Sequence, residues 1–292
     1  MAMITVLGVP YTAAHSDRFL QFDGYAVQGS VQRPVLVFVH GGAWRSEDKA
    51  DHAALAQSLA LATNCPVLVP NYRLTSKTIS DLRHPAHAQD ILHFLEFLLD
   101  WRPLEFPELA AAMDPKNLYL IGHSCSAHML ASIILDSDFV TPTLAPSAKL
   151  LKAVKAVIFS EGIYDLDSLV ERFPNYRAWF IDEAFGAQSS YSQFNVNQYQ
   201  LRKGLGDDGR PASWLIIHSK GDDLIDVGQS KAMLAHLRQL YAEQADTFVH
   251  HDLDRLTAGH DDILRGDQGY VDIVKLFLQR VDTMLREPQS VV

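Results

Sequence analysis

The chain has 292 residues, 48% of them hydrophobic and 21% charged, with 35 acidic against 25 basic side chains and a formal net charge of −10. That length can bury one large core, and the acidic balance argues against a grip on nucleic-acid phosphates or an anionic membrane surface. Two cysteines, Cys65 and Cys125, exclude a disulfide framework and lead us to expect a reducing, cytoplasmic setting.

Along the chain there is no internal repeat and no low-complexity block. Residues 1–8 are apolar but lack a basic start, and Pro10 breaks them early, so a first strand is expected rather than a signal peptide. Residues 18–27 read as a second strand. The run Pro34-Val35-Leu36-Val37-Phe38-Val39-His40 suits a strand buried on both faces, and it leads directly into Gly41-Gly42-Ala43-Trp44. A helix over 50–62 precedes a strand over 67–70, which ends in Asn71-Tyr72-Arg73-Leu74. A long amphipathic helix over 84–101 follows; its most apolar part, 91–99, is interrupted by His93 and Glu96 and is too short to span a membrane.

Leu118-Tyr119-Leu120-Ile121 is a buried strand that ends in Gly122-His123-Ser124-Cys125-Ser126. Ala127, Met129, Leu130, Ile133 and Ile134 then recur at helical spacing. Residues 141–148 form a Pro-containing loop, and 154–160 a strand that turns away at Glu161-Gly162-Ile163-Tyr164-Asp165. No strand is evident over 168–209, a stretch rich in aromatic residues that reads as a helical insertion over the sheet, with 165–209 as its cap-like extent. A strand over 214–218 ends in Ser219-Lys220-Gly221-Asp222-Asp223. A helix over 228–243, a strand over 247–253, the turn Gly259-His260-Asp261-Asp262 and a last helix over 270–285 complete the chain, the last with Val271, Val274, Phe277, Val281 and Leu285 on one face. This alternation predicts a single α/β domain over 1–292 with a mainly parallel, doubly wound sheet. Such sheets bind ligands at the carboxyl ends of their strands, where each of these turns falls.

A strand, a sharp turn with Ser at its apex and a helix make the setting of a nucleophile elbow. The turn needs small neighbours; Gly122 is one, and Ser126 stands where a second Gly is commoner. A lone G-x-S is weak evidence, since Ser often caps a helix after a strand. The chain order Ser124, Asp222, His260 strengthens it, because nucleophile, carboxylate and base would all reach one sheet edge. Asp222 is preferred over Asp223 and Asp226 because it comes first after Gly221. His260 is preferred over His250 and His251, which lie within a strand. A metal reading of His260-Asp261-Asp262 is set aside, since adjacent residues rarely aim at one ion. Gly41, Gly42 and the Cys125 N–H would form the oxyanion hole. The Cys125 side chain is expected in packing rather than at substrate.

His40-Gly41-Gly42-Ala43-Trp44 matches an H-G-G-x-W pattern, and with the pieces above the chain resembles the α/β-hydrolase superfamily over residues 34–260, in particular kynurenine formamidases (arylformamidases) of the fungal type. The resemblance implies cofactor-free hydrolysis of N-formyl-L-kynurenine to formate and L-kynurenine in tryptophan catabolism, with Ser124, Asp222 and His260 as the triad and no metal. Ser126 departs from the wider esterase pattern. Because a formyl group needs almost no acyl pocket, recognition is expected on the leaving-group side. Tyr164, Tyr176, Trp179 and Phe185 would stack on the aryl ketone and Trp44 would wall the pocket, with Arg177 as a candidate for the substrate carboxylate. The alternatives are a broad short-chain carboxylesterase of the same fold and a catalytically silent ligand-binding member. The expected partner is a small-molecule substrate, neither nucleic acid nor membrane, with a homodimer as the candidate assembly.

Overall fold

The computed structural model describes residues 2–13, 17–76, 82–102, 104–206 and 210–287. In chain order its strands are β1 (Met3–Pro10), β2 (Gln21–Val27), β3 (Arg33–Val39), β4 (Val67–Pro70), β5 (Met113–His123), β6 (Leu135–Asp136), β7 (Val154–Ser160), β8 (Gln200–Leu201), β9 (Ser213–Ile217) and β10 (Val249–Asp252). Eight of them form one sheet in the order β1-β2-β4-β3-β5-β7-β9-β10. Pairing is antiparallel between β1 and β2 and between β2 and β4, and parallel everywhere else, so within this sheet only β2 runs against the rest.

Alternation of side chains along each strand divides the core in two. Val35, Val37 and Val39 of β3, Leu118 and Leu120 of β5, Val157 and Phe159 of β7, and Trp214 and Ile216 of β9 all point to one face. The helices Ala86–Asp100, Cys125–Ile134 and Val227–Tyr241 cover it. Leu36, Phe38, Tyr119, Ile121, Ala156, Ile158, Leu215 and Ile217 point to the other, under the helices Ala53–Thr63 and Gln268–Arg286. Both faces are dry, which explains why the central strands read as unbroken apolar runs. Among the described residues no helix is long and apolar enough to cross a membrane.

The differences from the sequence-based expectation are local. Residues Arg18–Leu20 form a 3₁₀ turn before β2, because the Asp17 carboxylate accepts the Phe19 N–H at 2.9 Å. The helix expected from residue 50 begins as a 3₁₀ turn, Lys49–His52, closed by a capping box between Asp48 and Asp51. The insertion does contain a strand: β8 pairs with β6, away from the main sheet. A two-residue strand has no period to detect, and its partner is distant in sequence.

Candidate active site

β5 lies at the middle of the sheet and delivers Ser124 at its carboxyl end. Ser124 has φ 57° and ψ −123°, outside the regions a non-glycine residue favours. Its N–H donates to Ser160 O at 2.9 Å, and its carbonyl accepts from Ala127 N at 3.1 Å and Ile163 N at 3.3 Å. Strain of this kind costs roughly 1–3 kcal/mol and persists only where the surroundings over-determine it. A Cβ on Gly122 would lie 2.7 Å from Ser126 O and 2.8 Å from Ala127 N, both backbone, so the elbow closes only around a glycine there. Ser126 is fully buried, and its hydroxyl donates to His40 O, tying the elbow helix to the end of β3.

That end of β3 continues into a tight left-handed turn, with φ 91° at Gly42, 52° at Ala43 and 59° at Trp44. A Cβ on Gly42 would sit 2.2 Å from Ser46 O, and one on Gly41 would sit 3.1 Å from Ser124 Cβ. Glycine backbone is therefore packed directly against the nucleophile candidate. Tyr72, buried, donates its hydroxyl to Gly41 O at 2.6 Å and holds the turn from behind. Cys125 opens the elbow helix, where N–H groups have no intrahelical partner. Its side chain is buried under the turn, with Trp44 N–H directed at Sγ at 3.3 Å, and burial pushes the thiol up to about 12.

His260 follows β10 and meets Asp222, which follows β9: His260 Nδ1 lies 2.8 Å from Asp222 Oδ2, and both side chains are almost wholly buried. The other Asp222 oxygen accepts N–H groups of Leu224 and Ile225, each at 2.9 Å. Burial alone would raise Asp222; the His260 hydrogen bond and charge and these two amides outweigh it and hold the carboxyl below its usual range. Burial likewise opposes the imidazolium of His260, but the hydrogen bond and charge of Asp222, with Asp261 and Glu161 behind, carry it above the usual value. The rivals are elsewhere. Asp223 is exposed, Asp226 caps the helix Val227–Tyr241, His250 approaches Arg280 at 3.0 Å, and His251 is exposed.

Ser124 and His260 line one cleft of about 200 Å³. Gly42, Ala43 and Ile163 line it with Ser124, as do Leu224 and Ile225 of the Asp222 turn. The insertion supplies Tyr176, Trp179 and Phe180, while Ser46, Glu47 and Asp261 supply the polar edge. A family model described as BD-FAE matches residues 25–237. The chain belongs to the BD-FAE family. It is 29% identical over 205 residues to the kynurenine formamidase of Meyerozyma guilliermondii, covering 70% of this chain and 71% of that protein. It is 26% identical over 227 residues to the kynurenine formamidase of Scheffersomyces stipitis, covering 70% and 77%. Esterase B of Lactobacillus rhamnosis superposes with a TM-score of 0.75 at 16% identity, over 97% of this chain and 88% of that one, a likeness of fold. The chain is a hydrolase of the α/β-hydrolase fold and is similar to kynurenine formamidases.

Against that background, three residues expected in the substrate pocket belong to the core. Trp44 is fully buried among His128, Phe180 and Phe185, with ring centroids at 5.0 to 6.1 Å. Tyr164 is fully buried against Phe159, and Phe185 packs on Trp44, His84 and His128. Tyr176 and Trp179 do reach the cleft. The Tyr176 hydroxyl donates to Leu224 O at 2.9 Å and so fastens the insertion to the Asp222 turn. Arg177 stays within the insertion, donating to Gln188 O at 2.6 Å and lying over the Tyr191 ring at 5.2 Å. Among the described residues no Lys or Arg lines the cleft.

The sequence reading missed Glu47, Asp261, Tyr72 and the buried Glu161. Glu47 has φ 72° and bonds His52 Nε2 at 2.9 Å. Burial opposes its charge, but the hydrogen bond and charge of His52, with His123 and His40 nearby, bring it down to about 2. Its signal was its place just beyond the Gly-Gly turn. Among the described residues, three groups of side chains have ligand atoms within 4.8 Å of one another and could hold an ion: His40, Glu47 and His52; His123, His260 and Asp261; Glu161, His218 and Asp222. In the second, His123 supplies the spaced partner the sequence did not suggest. Its Nε2 lies 3.1 Å from His260 O, however, and His260 Nδ1 is engaged by Asp222.

Proposed function

We propose that this chain is a serine hydrolase that cleaves the formamide of N-formyl-L-kynurenine, releasing formate and L-kynurenine. The observation that carries this reading is the strained Ser124 lining the same cleft as His260, which is held 2.8 Å from Asp222. With Nδ1 of His260 held by Asp222, Nε2 is left to take the Ser124 proton as Oγ attacks the formyl carbon. Amides of Gly41, Gly42 and Cys125, the residues expected for that role, would meet the developing oxyanion, with that of Ala43 beside them. His260 then gives its proton to the departing aryl amine, and water activated by the same imidazole releases formate from the acyl-serine. The leaving group would lie along Tyr176, Trp179 and Phe180. The carboxylates of Glu47 and Asp261 suit its ammonium, and the substrate carboxylate is left towards solvent.

Support for the formamide comes from the formamidase relatives. A short-chain aryl esterase would use the same parts. Steady-state hydrolysis of N-formyl-L-kynurenine and of phenyl acetate, with Ser124→Ala as control, separates the two. A kcat/KM at least tenfold higher on the formamide supports the formamidase reading, and preference for the ester rejects it. Activity retained in Ser124→Ala would reject the serine mechanism.

A further inference from the structure

Glu161 is the first residue after β7 and carries φ 49°, yet its side chain is wholly buried. A carboxyl group in strained backbone with no access to water calls for a reason. Its N–H donates to Ile217 O at 3.1 Å, so it bridges the ends of β7 and β9. One carboxyl oxygen accepts Ser219 N–H at 2.7 Å, and the other shares a hydrogen bond with Ser160 Oγ. Ser219 is the node of the rim. Its carbonyl accepts Asp222 N–H at 3.2 Å, and its hydroxyl donates to Ala258 O at 2.6 Å, two residues before His260. The two loops meet so closely that a Cβ on Gly221 would fall 2.1 Å from Thr257 O.

We propose that Glu161 is a positioning residue of the hydrolytic site: through Ser219 its carboxyl sets the turn that carries Asp222 and the loop that carries His260, and it stands as a second carboxyl behind that pair. The inference rests on the serine-hydrolase reading above. Burial pushes Glu161 up to about 8, against the pull of Ser160, Ser219 and His260 and with the Asp222 charge adding to the rise. At neutral pH it is therefore a neutral brace, and Asp222 is the anion. The groups facing it are Ser160 on β7, His218 and Ser219 at the end of β9, Asp222, His260, Tyr164 and Tyr270. Only His260 among these becomes a cation in the reaction. As Glu161 ionises on the alkaline side, its charge stabilises the imidazolium that forms in the transition state.

The test is the pH dependence of kcat/KM and kcat from pH 5 to 10 for the wild type, Glu161→Gln and Glu161→Ala, on N-formyl-L-kynurenine and on phenyl acetate. The wild type is expected to rise once as His260 deprotonates and again, several-fold, near pH 8. Glu161→Gln keeps an acceptor for Ser219 N–H but cannot ionise; it should lose the second rise and fall about tenfold below wild type at pH 9, with KM within twofold. Glu161→Ala, which orphans the buried Ser219 N–H, should lose about a hundredfold in kcat. Should the alanine variant fail to fold by near-UV circular dichroism, the glutamine variant decides alone. Superimposable profiles for wild type and Glu161→Gln would overturn the proposal while leaving the hydrolase reading intact. If the wild type cleaves neither substrate and its Ser124 takes no fluorophosphonate label, the hydrolase reading itself falls, and this inference with it.

Discussion

Two regions bound the cleft, and they are built in opposite ways. The rim at the carboxyl ends of β3, β5, β7 and β9 is fixed by backbone. Ser124, Gly42, Ala43 and Glu161 all have positive φ, and the separate loops are joined by short hydrogen bonds at Ser126, Ser219 and Asp222. The insertion over residues 165–206 is fixed by packing. Its rings stack on one another, as Phe173 on Tyr176 at 4.8 Å, and it meets the rim through a few contacts such as Tyr176 to Leu224 O and Arg45 to Trp179 O. Substitutions at the rim residues that carry or set the reacting groups, Ser124, Asp222 and Glu161, should therefore act on kcat. Substitutions in the insertion should act on KM or on stability, according to which way each ring faces.

The largest expected effect is that of Ser124→Ala, a loss on the order of a millionfold in kcat if the three groups act as a unit. Asp222→Asn should follow at about ten-thousandfold, because the amide favours the wrong tautomer of His260. The same variant has a pH signature. His260 must be neutral to act as base, so the wild-type rate falls as pH drops through an imidazole pKa that lies above its usual 6.5. Removing the Asp222 charge should move that acid limb to lower pH. Stability follows the same pair. The raised His260 contributes stability that is complete below 6.5 and is lost as pH rises through its folded-state value; the depressed Asp222 contributes stability present above 3.8 and lost as pH falls through its own. The Tm gap between wild type and Asp222→Asn should thus be wider at pH 5.5 than at pH 9. A gap that does not change with pH would mean that the two groups are not coupled.

The contrast also explains what could be read from the sequence. The placement of Gly122, Ser124, Asp222 and His260 at the carboxyl ends of strands was legible because a strained turn at a strand end admits few residue types, and strand ends follow from apolar runs. The alternation within β3 and β5 shows through for the same reason, both faces being covered. Glu161 was not legible: a Glu after a strand is ordinarily solvated, and nothing local tells that Ser219 and Ser160 close over it. The facing of a ring on an irregular insertion was hidden too. Trp44, Tyr164, Phe185, Tyr176 and Trp179 share one composition, yet only the last two touch the cleft. A non-local contact decides between them, and no period encodes it.

A smaller effect tests Ser126. Replacing it with Gly restores the commoner elbow pattern but removes the hydroxyl bond to His40 O, leaving that buried carbonyl only the 3.2 Å bond from the Tyr72 hydroxyl. About 1 kcal/mol of stability should be lost, with kcat within a few-fold, since Tyr72 still holds the turn at Gly41 O. A kcat loss above a hundredfold would show that the Ser126 bond, rather than Tyr72, governs the Gly-Gly turn.

The finest discrimination comes from two tryptophans. Trp179 is 49% exposed at the cleft edge, whereas Trp44 is fully buried beneath the Gly-Gly turn. Trp179→Ala should raise KM for N-formyl-L-kynurenine about fivefold, the worth of one aromatic contact of roughly 1 kcal/mol, and leave Tm nearly unchanged. Trp44→Ala should open a cavity at a cost of about 3–5 kcal/mol, lowering Tm while altering KM little in the fraction that stays folded. Urea denaturation paired with initial-rate kinetics reads both quantities on the same preparations. If the two variants exchanged phenotypes, with Trp44 governing KM and Trp179 governing stability, the assignment of Trp179 to the cleft and of Trp44 to the core would be wrong.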